Sequence, residues 1–332
     1  MITAFKGNIN RGDSTQHYFY YTIPAQYFTS TFKMRFYLDS FSGSSEYCYI
    51  DNIGVGQIVG AADTNATLKI VNPLGEEFST TVTACKSSVI GNTSSSDYSY
   101  ACKADITSLV NDHAEVIEDE YEVQHHTGNG VYTVGGVDTT VKNHSWAYAG
   151  WSIIIIYSYP DAAGRQIYLY DDFVYADDDT DVDFDNDGNW GGDITGFKVP
   201  QPIEGDTVAA KITCYVGEGD YGITGDFLAF NAPDMYRSNP WSIADTYKLW
   251  DGTTPVNKNN VWNSKSIGGS ADGIDIDTFT ILWTDGMLSP GDTTAHIDLP
   301  TGTDSWNLVY TILSVRSKTT VGGTGHYVIY GG

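Results

Sequence analysis

Ten aspartates and no lysine or arginine fall between Asp171 and Asp193, and residues 177–193 read DDDTDVDFDNDGNWGGD. Left without a counter-charge, such a run repels itself and stays disordered. The spacing Asp183-x-Asp185-x-Asp187-Gly188 is the first half of a calcium loop. Alternate carboxylates turn inward on a tight turn that glycine permits, and together they offer a hard cation several oxygens. The expected Ca2+ ligands are Asp183, Asp185, Asp187 and the Asn189 carbonyl, with Asp181 or Asp193 adding to them. Where an EF-hand would carry its bidentate glutamate this chain has Ile194, and no helical pattern flanks the run. The loop is therefore not an EF-hand and must borrow ligands from elsewhere. A solvated acidic linker is the competing reading.

Other groups carry weaker chemical signals. Gly217-x-Gly219-x-x-Gly222 matches the dinucleotide fingerprint in form, but no helix pattern follows it, and Glu218 and Asp220 would repel a pyrophosphate. It reads as a tight turn and, through Glu218, Asp220 and Asp226, as a candidate second cation site. Asp272, Asp275 and Asp277 read as the wet face of a strand. There is no G-x-S-x-G, H-E-x-x-H or P-loop, and the seven histidines are scattered apart from His125-His126. No catalytic residues are assigned, and the chain is expected not to be an enzyme. A carboxylate pair for glycoside hydrolysis stays open, because such a pair is made in space. Arg11-Gly12-Asp13 reads as a turn.

The four cysteines, Cys48, Cys85, Cys102 and Cys214, show no zinc spacing. In an acidic, Ser/Thr-rich chain they are better explained as disulfides. Cys85 with Cys102 is the favoured pair, stapling a loop-like segment at roughly 3 kcal/mol in the loop-entropy model. Cys48 and Cys214 either pair or are buried free thiols. Sequons at Asn65, Asn92 and Asn143 lie in polar stretches and suit an exported protein.

These groups must be carried by β-strands. Aromatic residues make up 14% of the 332 residues, with 35 glycines and only 18% charged residues, a composition of short aromatic strands joined by glycine turns. The length suits two cores. A net charge of −25 excludes nucleic acid and anionic lipid as partners, since phosphate recognition needs basic clusters. No apolar stretch is long enough to span a bilayer, so direct membrane insertion is not expected. The opening MITAFKGNIN lacks a signal-peptide pattern, so an export signal is expected to be missing from this sequence.

In order, strands are expected near 17–23, 32–38, 47–58, 66–71, 78–85 and 100–106, then a short helix at 106–116, then strands at 131–134 and 148–159. The run WSIIIIYSY at 151–159 does not alternate, which predicts a strand covered on both faces and central to the first domain. Residues 166–170 are expected to pair with it through the turn at 160–164. Beyond the aspartates, 206–216 alternates cleanly, and further strands are expected at 226–231, 273–282, 294–299, 306–315 and 325–330. Residues 241–263 look irregular. The whole predicts an all-β protein of two tandem β-sandwich (jelly-roll or immunoglobulin-like) domains, 1–176 and 194–332, joined by the Asp-rich calcium-binding-type linker at 177–193.

The motifs WAYAGWSIIIIY at 146–157, RQIYLYD at 165–171, GEGDYGITGD at 217–226, NVWNS at 260–264, GIDIDT at 273–278 and LSPGDT at 288–293 together resemble a family of archaeal and bacterial cell-surface β-sandwich domains of unknown function, common in methanogen surface proteins. The resemblance runs from about residue 100 to the C-terminus. It implies an exported surface protein and assigns no reaction. The expected function is a non-enzymatic extracellular structural subunit that associates with copies of itself into a filament, sheath or surface layer. Calcium would stabilise it, and a strand could be exchanged between subunits, Ile2, Thr3, Ala4 and Phe5 or Tyr327, Val328, Ile329 and Tyr330 being the donated segment. The alternative is an adhesin or carbohydrate-binding module that uses Trp241, Trp250 and Trp262 on glycans or a cell-wall polymer, with a secreted hydrolase ranked last.

Overall fold

The structure, a computed structural model, describes residues 62–91, 98–137, 148–159, 164–171, 173–177, 180–183, 190–217, 219–252, 258–264, 273–317 and 323–331. The strands expected before residue 60 lie outside these, as do Arg11-Gly12-Asp13 and Ile2 to Phe5. The described residues are mostly β-strand with a single α-helix and belong to one unit, 58–185 with 189–332, which takes in chain on both sides of the aspartate run.

The first part runs β1 (Asn65–Val71), β2 (Glu77–Thr83), β3 (Lys86–Gly91), β4 (Tyr98–Lys103), α1 (Thr107–His113), β5 (Val116–Glu118), β6 (Gln124–His126) and β7 (Val131–Gly135). Alternation along β1 turns Leu68 and Ile70 inward, while Lys69 faces out to Glu77 at 2.7 Å. Antiparallel pairing gives the sheet β2-β1-β7, and α1 closes its buried face through Leu109 and Val110. The turn from β1 to β2 is built by Asn72, whose Oδ1 accepts the N–H groups of Leu74 and Glu76, and by Gly75 at φ +84°. The helix expected at 106–116 is the observed α1.

The second part runs β8 (Trp151–Tyr159), β9 (Arg165–Tyr170), β10 (Val174–Ala176), β11 (Thr180–Asp181), β12 (Gly192–Thr195), β13 (Val208–Gly217), β14 (Ala229–Phe230), β15 (Ile274–Leu282), β16 (Thr294–Asp298), β17 (Pro300–Thr301), β18 (Trp306–Arg316) and β19 (Gly323–Gly331). The main sheet has the order β10-β18-β13-β15, and β9 continues the line of β10 along the same edge of β18. A smaller sheet, β12-β16-β14, packs on it. Between the two lie Ile212, Cys214 and Val216 of β13, Phe279 and Ile281 of β15, Trp306 and Leu313 of β18, Ile194, Phe230 and Ile297. This is a β-sandwich core.

The other face of the main sheet carries Tyr215, Ile276, Tyr310 and Ile312, and Ile154 of β8 packs there. The strands buried on both faces are thus β13 and β18, whereas β8 leaves Ile156 60% exposed. One irregularity explains a parity that alternation cannot. Tyr215 stands opposite Tyr310 but Val216 opposite Leu308, so Val309 is an extra residue. That bulge puts Trp306 and Leu308 on the same inner face as Leu313 and Val315.

Two expectations are corrected by the pairing. Residues 166–170 do not pair with 151–159: β9 pairs with β18, and β8 pairs with β19. Strands on both sides of the aspartate run therefore share sheets, β9 and β10 lying beside β18 and β8 beside β19.

Candidate metal centres

The aspartate run enters the sandwich at Asp181 and leaves it at Asp193. β11 pairs with β17, setting Asp181 opposite Pro300, and the Asp181 Oδ1 accepts the Leu299 N–H at 2.8 Å. β12 pairs with β16, setting Asp193 opposite His296. The His296 Nδ1 lies 2.8 Å from Asp193 Oδ1. Its Nε2 faces Asp298 Oδ1 at 3.3 Å, an ion-pair distance without the alignment of a hydrogen bond. Arg237 approaches Asp193 at 3.6 Å. The backbone of Gly191, at φ +72°, fits against this group because a Cβ there would meet the Ile297 carbonyl oxygen at 2.6 Å.

The electrostatics follow from burial. Burial, then the Asp298 carboxylate beside it, pushes Asp181 well above the usual carboxylate range. Burial opposes the charged form of His296, but the Asp298 and Asp193 carboxylates outweigh it and raise the imidazole pKa. Two buried oxygens, Asp181 Oδ2 and Asp298 Oδ2, have no hydrogen-bond partner among the described residues. Of the expected calcium ligands, Asp181 and Asp193 thus reach one cluster, but Asp193 is engaged by His296. Asp183 is half-buried nearby in sequence, and Asp185, Asp187 and Asn189 lie outside the described residues.

Asp226 of the second candidate site is fully buried, Asp220 is half-buried, and Glu218 lies outside the described residues. Asp226 Oδ2 accepts the Trp262 N–H at 2.7 Å, and Asp226 forms an isolated bridge with Asn260. Asp275 accepts the N–H groups of Asn263 at 3.1 Å and Ser264 at 3.0 Å. Asp275 and Asp277 are both 0% exposed, which corrects the expectation of a wet face. Their register on β15 puts them on the same side as Phe279 and Ile281, facing the core. Three separately spaced motifs, 217–226, 260–264 and 273–278, therefore meet at one place. Among the described residues no three His, Cys, Asp or Glu side chains stand close enough to hold a metal by themselves. A cation would need amide or backbone oxygens as well.

The remaining expectations separate. Cys85 and Cys102 are free thiols and do not form the expected disulfide. The β3–β4 register sets Cys102 opposite Ser87, which puts Cys85 on the diagonal, and each thiol donates to a carbonyl, of Lys103 and Asp63 respectively. Cys214 is a buried free thiol, its pKa pushed up to about 12 by burial. Cys48, Asn92 and Asn143 lie outside the described residues, and Asn65 is exposed at the start of β1. Tyr327 to Tyr330 pair with Ile155 to Ser152 of β8 in their own chain, so donating them would require β19 to be exchanged between copies. Trp262 is buried in the core, Trp241 is half-buried and Trp250 is 36% exposed. His125 pairs with Asp119 at 2.9 Å on the surface. Among the described residues no helix is long and apolar enough to cross a membrane.

His296, Asp298, Asn260 and Asp304 were not visible as site residues from spacing. The available signal was that Asn260 and Asp275 sit in the motifs that carry the family resemblance. No family model, curated protein or solved structure matches the chain.

Proposed function

We propose that this chain is a non-enzymatic structural protein of a cell surface, a β-sandwich subunit that associates with copies of itself and is stabilised by calcium at the aspartate run. The observation that carries the calcium reading is the buried, unpartnered Asp181 Oδ2 at the foot of that run. A buried carboxylate oxygen without a partner costs free energy that a divalent cation removes. In this reading Asp181, Asp183, Asp185, Asp187 and Asn189 hold the ion, and Asp193 positions the loop through His296. The extracellular setting and self-association rest on composition, sequons and the resemblance to surface domains. Electron microscopy of the full chain with millimolar calcium and with chelator tests it: ordered polymers that disperse on chelation are expected, and monomers under both conditions would contradict it.

A glycan-binding role is the second reading. Trp190, 37% exposed, stands edge-on to Trp241 with ring centroids 4.7 Å apart and offers an aromatic surface of the kind sugars stack on. A glycan array would decide it, since absence of any binding removes this role.

A further inference from the structure

Four segments meet where β13 ends and β15 begins: 219–226, 260–264, the first residues of β15, and the 301–305 loop before β18. Their hydrogen bonds tie them together. Gly225 donates to the Asn259 carbonyl, Gly302 donates to the Gly225 carbonyl at 3.1 Å, and Asn260 Nδ2 donates to the Tyr221 carbonyl at 3.0 Å. Ser264 Oγ donates to the Gly219 carbonyl. Glycine is required at 219, since a Cβ there would run into the Asp275 carboxylate and meet the Trp262 carbonyl oxygen at 2.8 Å.

Inside this junction Asp226, Asp304 and Asn260 each keep a buried side-chain oxygen without a hydrogen-bond partner, and the Trp262 indole N–H is unpartnered as well. Asp226 gives Oδ2 to the Trp262 N–H and keeps Oδ1. Asp304 gives Oδ1 to the Ser305 N–H at 2.8 Å and keeps Oδ2. Asn260 spends its amino group on Tyr221 and keeps Oδ1. Asp226, Asp304 and Asn260 are at most 2% exposed. The buried ammonium of Lys248 does not balance them. It is engaged by Asn259 Oδ1 at 2.6 Å and by Asp245 at 3.3 Å, and it lies 4.1 Å from the centre of the Phe227 ring.

We propose that Asp226 Oδ1, Asp304 Oδ2 and Asn260 Oδ1 are side-chain ligands of a buried divalent-cation site, and that its occupant is Ca2+. All three are hard oxygens, and one is a neutral amide oxygen, which an acidic cluster kept only for solubility would not contain. Two carboxylates match the charge of one divalent ion. Ca2+ takes six to eight oxygens in flexible geometry and accepts carbonyls, so backbone oxygens and water complete the shell, whereas Mg2+ demands a near-ideal octahedron. The competing arrangement is a carboxyl pair that holds a proton and ignores calcium.

This site shares no residue with the aspartate run, so the two are separable by mutation. The full chain is stripped with chelator, and Ca2+ alone is titrated by calorimetry into wild type, Asp226→Asn, Asp304→Asn and the triple variant D183N/D185N/D187N. Asp226→Asn and Asp304→Asn are each expected to lose one bound equivalent, or to bind it about tenfold or more weakly, while the triple variant retains that equivalent. Binding by both single variants identical to wild type, or no binding by wild type, overturns the assignment. Should Asp226→Asn fail to fold, Asn260→Ala keeps both carboxylates and must still weaken calcium. An unchanged affinity there overturns the site equally. A triple variant that binds like wild type contradicts the run as a calcium loop and leaves the buried site standing.

Discussion

Two carboxylate clusters in the same sandwich are balanced in different ways. Asp193 and Asp298 bracket His296, and Arg237 stands beside Asp193, so that cluster carries cationic side chains of its own. Asp226 and Asp304 are fully buried, whereas Asp193 is partly exposed, and the nearby Lys248 is engaged by Asn259 and Asp245 instead. A protein can bury a carboxylate with a fixed cation or leave its oxygens for a mobile one, and the first choice makes stability independent of solution ions while the second makes it conditional on them.

The largest expected break in this comparison is His296→Ala. It removes the imidazole between two carboxylates, leaving the buried Asp298 without its facing side chain, and should cost about 3 kcal/mol, read as a lower denaturation midpoint. Because the group lost belongs to the protein, chelator should leave the size of that loss unchanged. Restoration of wild-type stability by calcium would mean that the two clusters are not different in kind.

A smaller effect is expected at Asp275, whose carboxylate organises the loop around Asn260 by accepting the Asn263 and Ser264 N–H groups. Asp275→Ala strands those donors at a cost of about 1–3 kcal/mol, measurable in chelator, and should also weaken calcium through Asn260. Wild-type calcium affinity in this variant would separate loop order from ion binding.

The smallest effect sharpens the comparison with a surface carboxylate. Asp171 is partly buried, but hydrogen bonds from Lys103 and Lys86 outweigh that burial and hold its pKa below the usual range. A depressed carboxyl pKa contributes stability that is complete above the unfolded value of about 4 and is lost as pH falls through the folded value. Asp171→Asn should therefore cost at most about 1 kcal/mol at neutral pH, after solvent screening, and almost nothing near pH 2. Denaturant melts across that range check it, and a loss that grows on acidification would contradict the lysine pairing.

The strands were legible where alternation is strict. Residues 206–216 announced β13, and 66–71 announced β1, because one face of each strand is apolar. Pairing was less legible. β8 carries four consecutive isoleucines yet is partly exposed, since β19 joins its edge and Ile154 is what packs on the neighbouring layer. The inner aspartates were misread for a similar reason: alternation separates two faces without saying which one is wet. In GIDIDT the isoleucines and the aspartates are both buried, because β15 lies between two cores. Sequence spacing pointed to Asp226, but Asp304 and Asn260 come from distant segments that only the fold brings together.

The most direct test of the central claim is thermal unfolding of the full chain at neutral pH, first in chelator and then in millimolar calcium. The unfolding temperature should rise with calcium concentration, and the rise should shrink, without loss of stability in chelator, in Asp226→Asn and Asp304→Asn. Superimposable melting curves for the wild-type chain with and without calcium would contradict calcium as part of this fold.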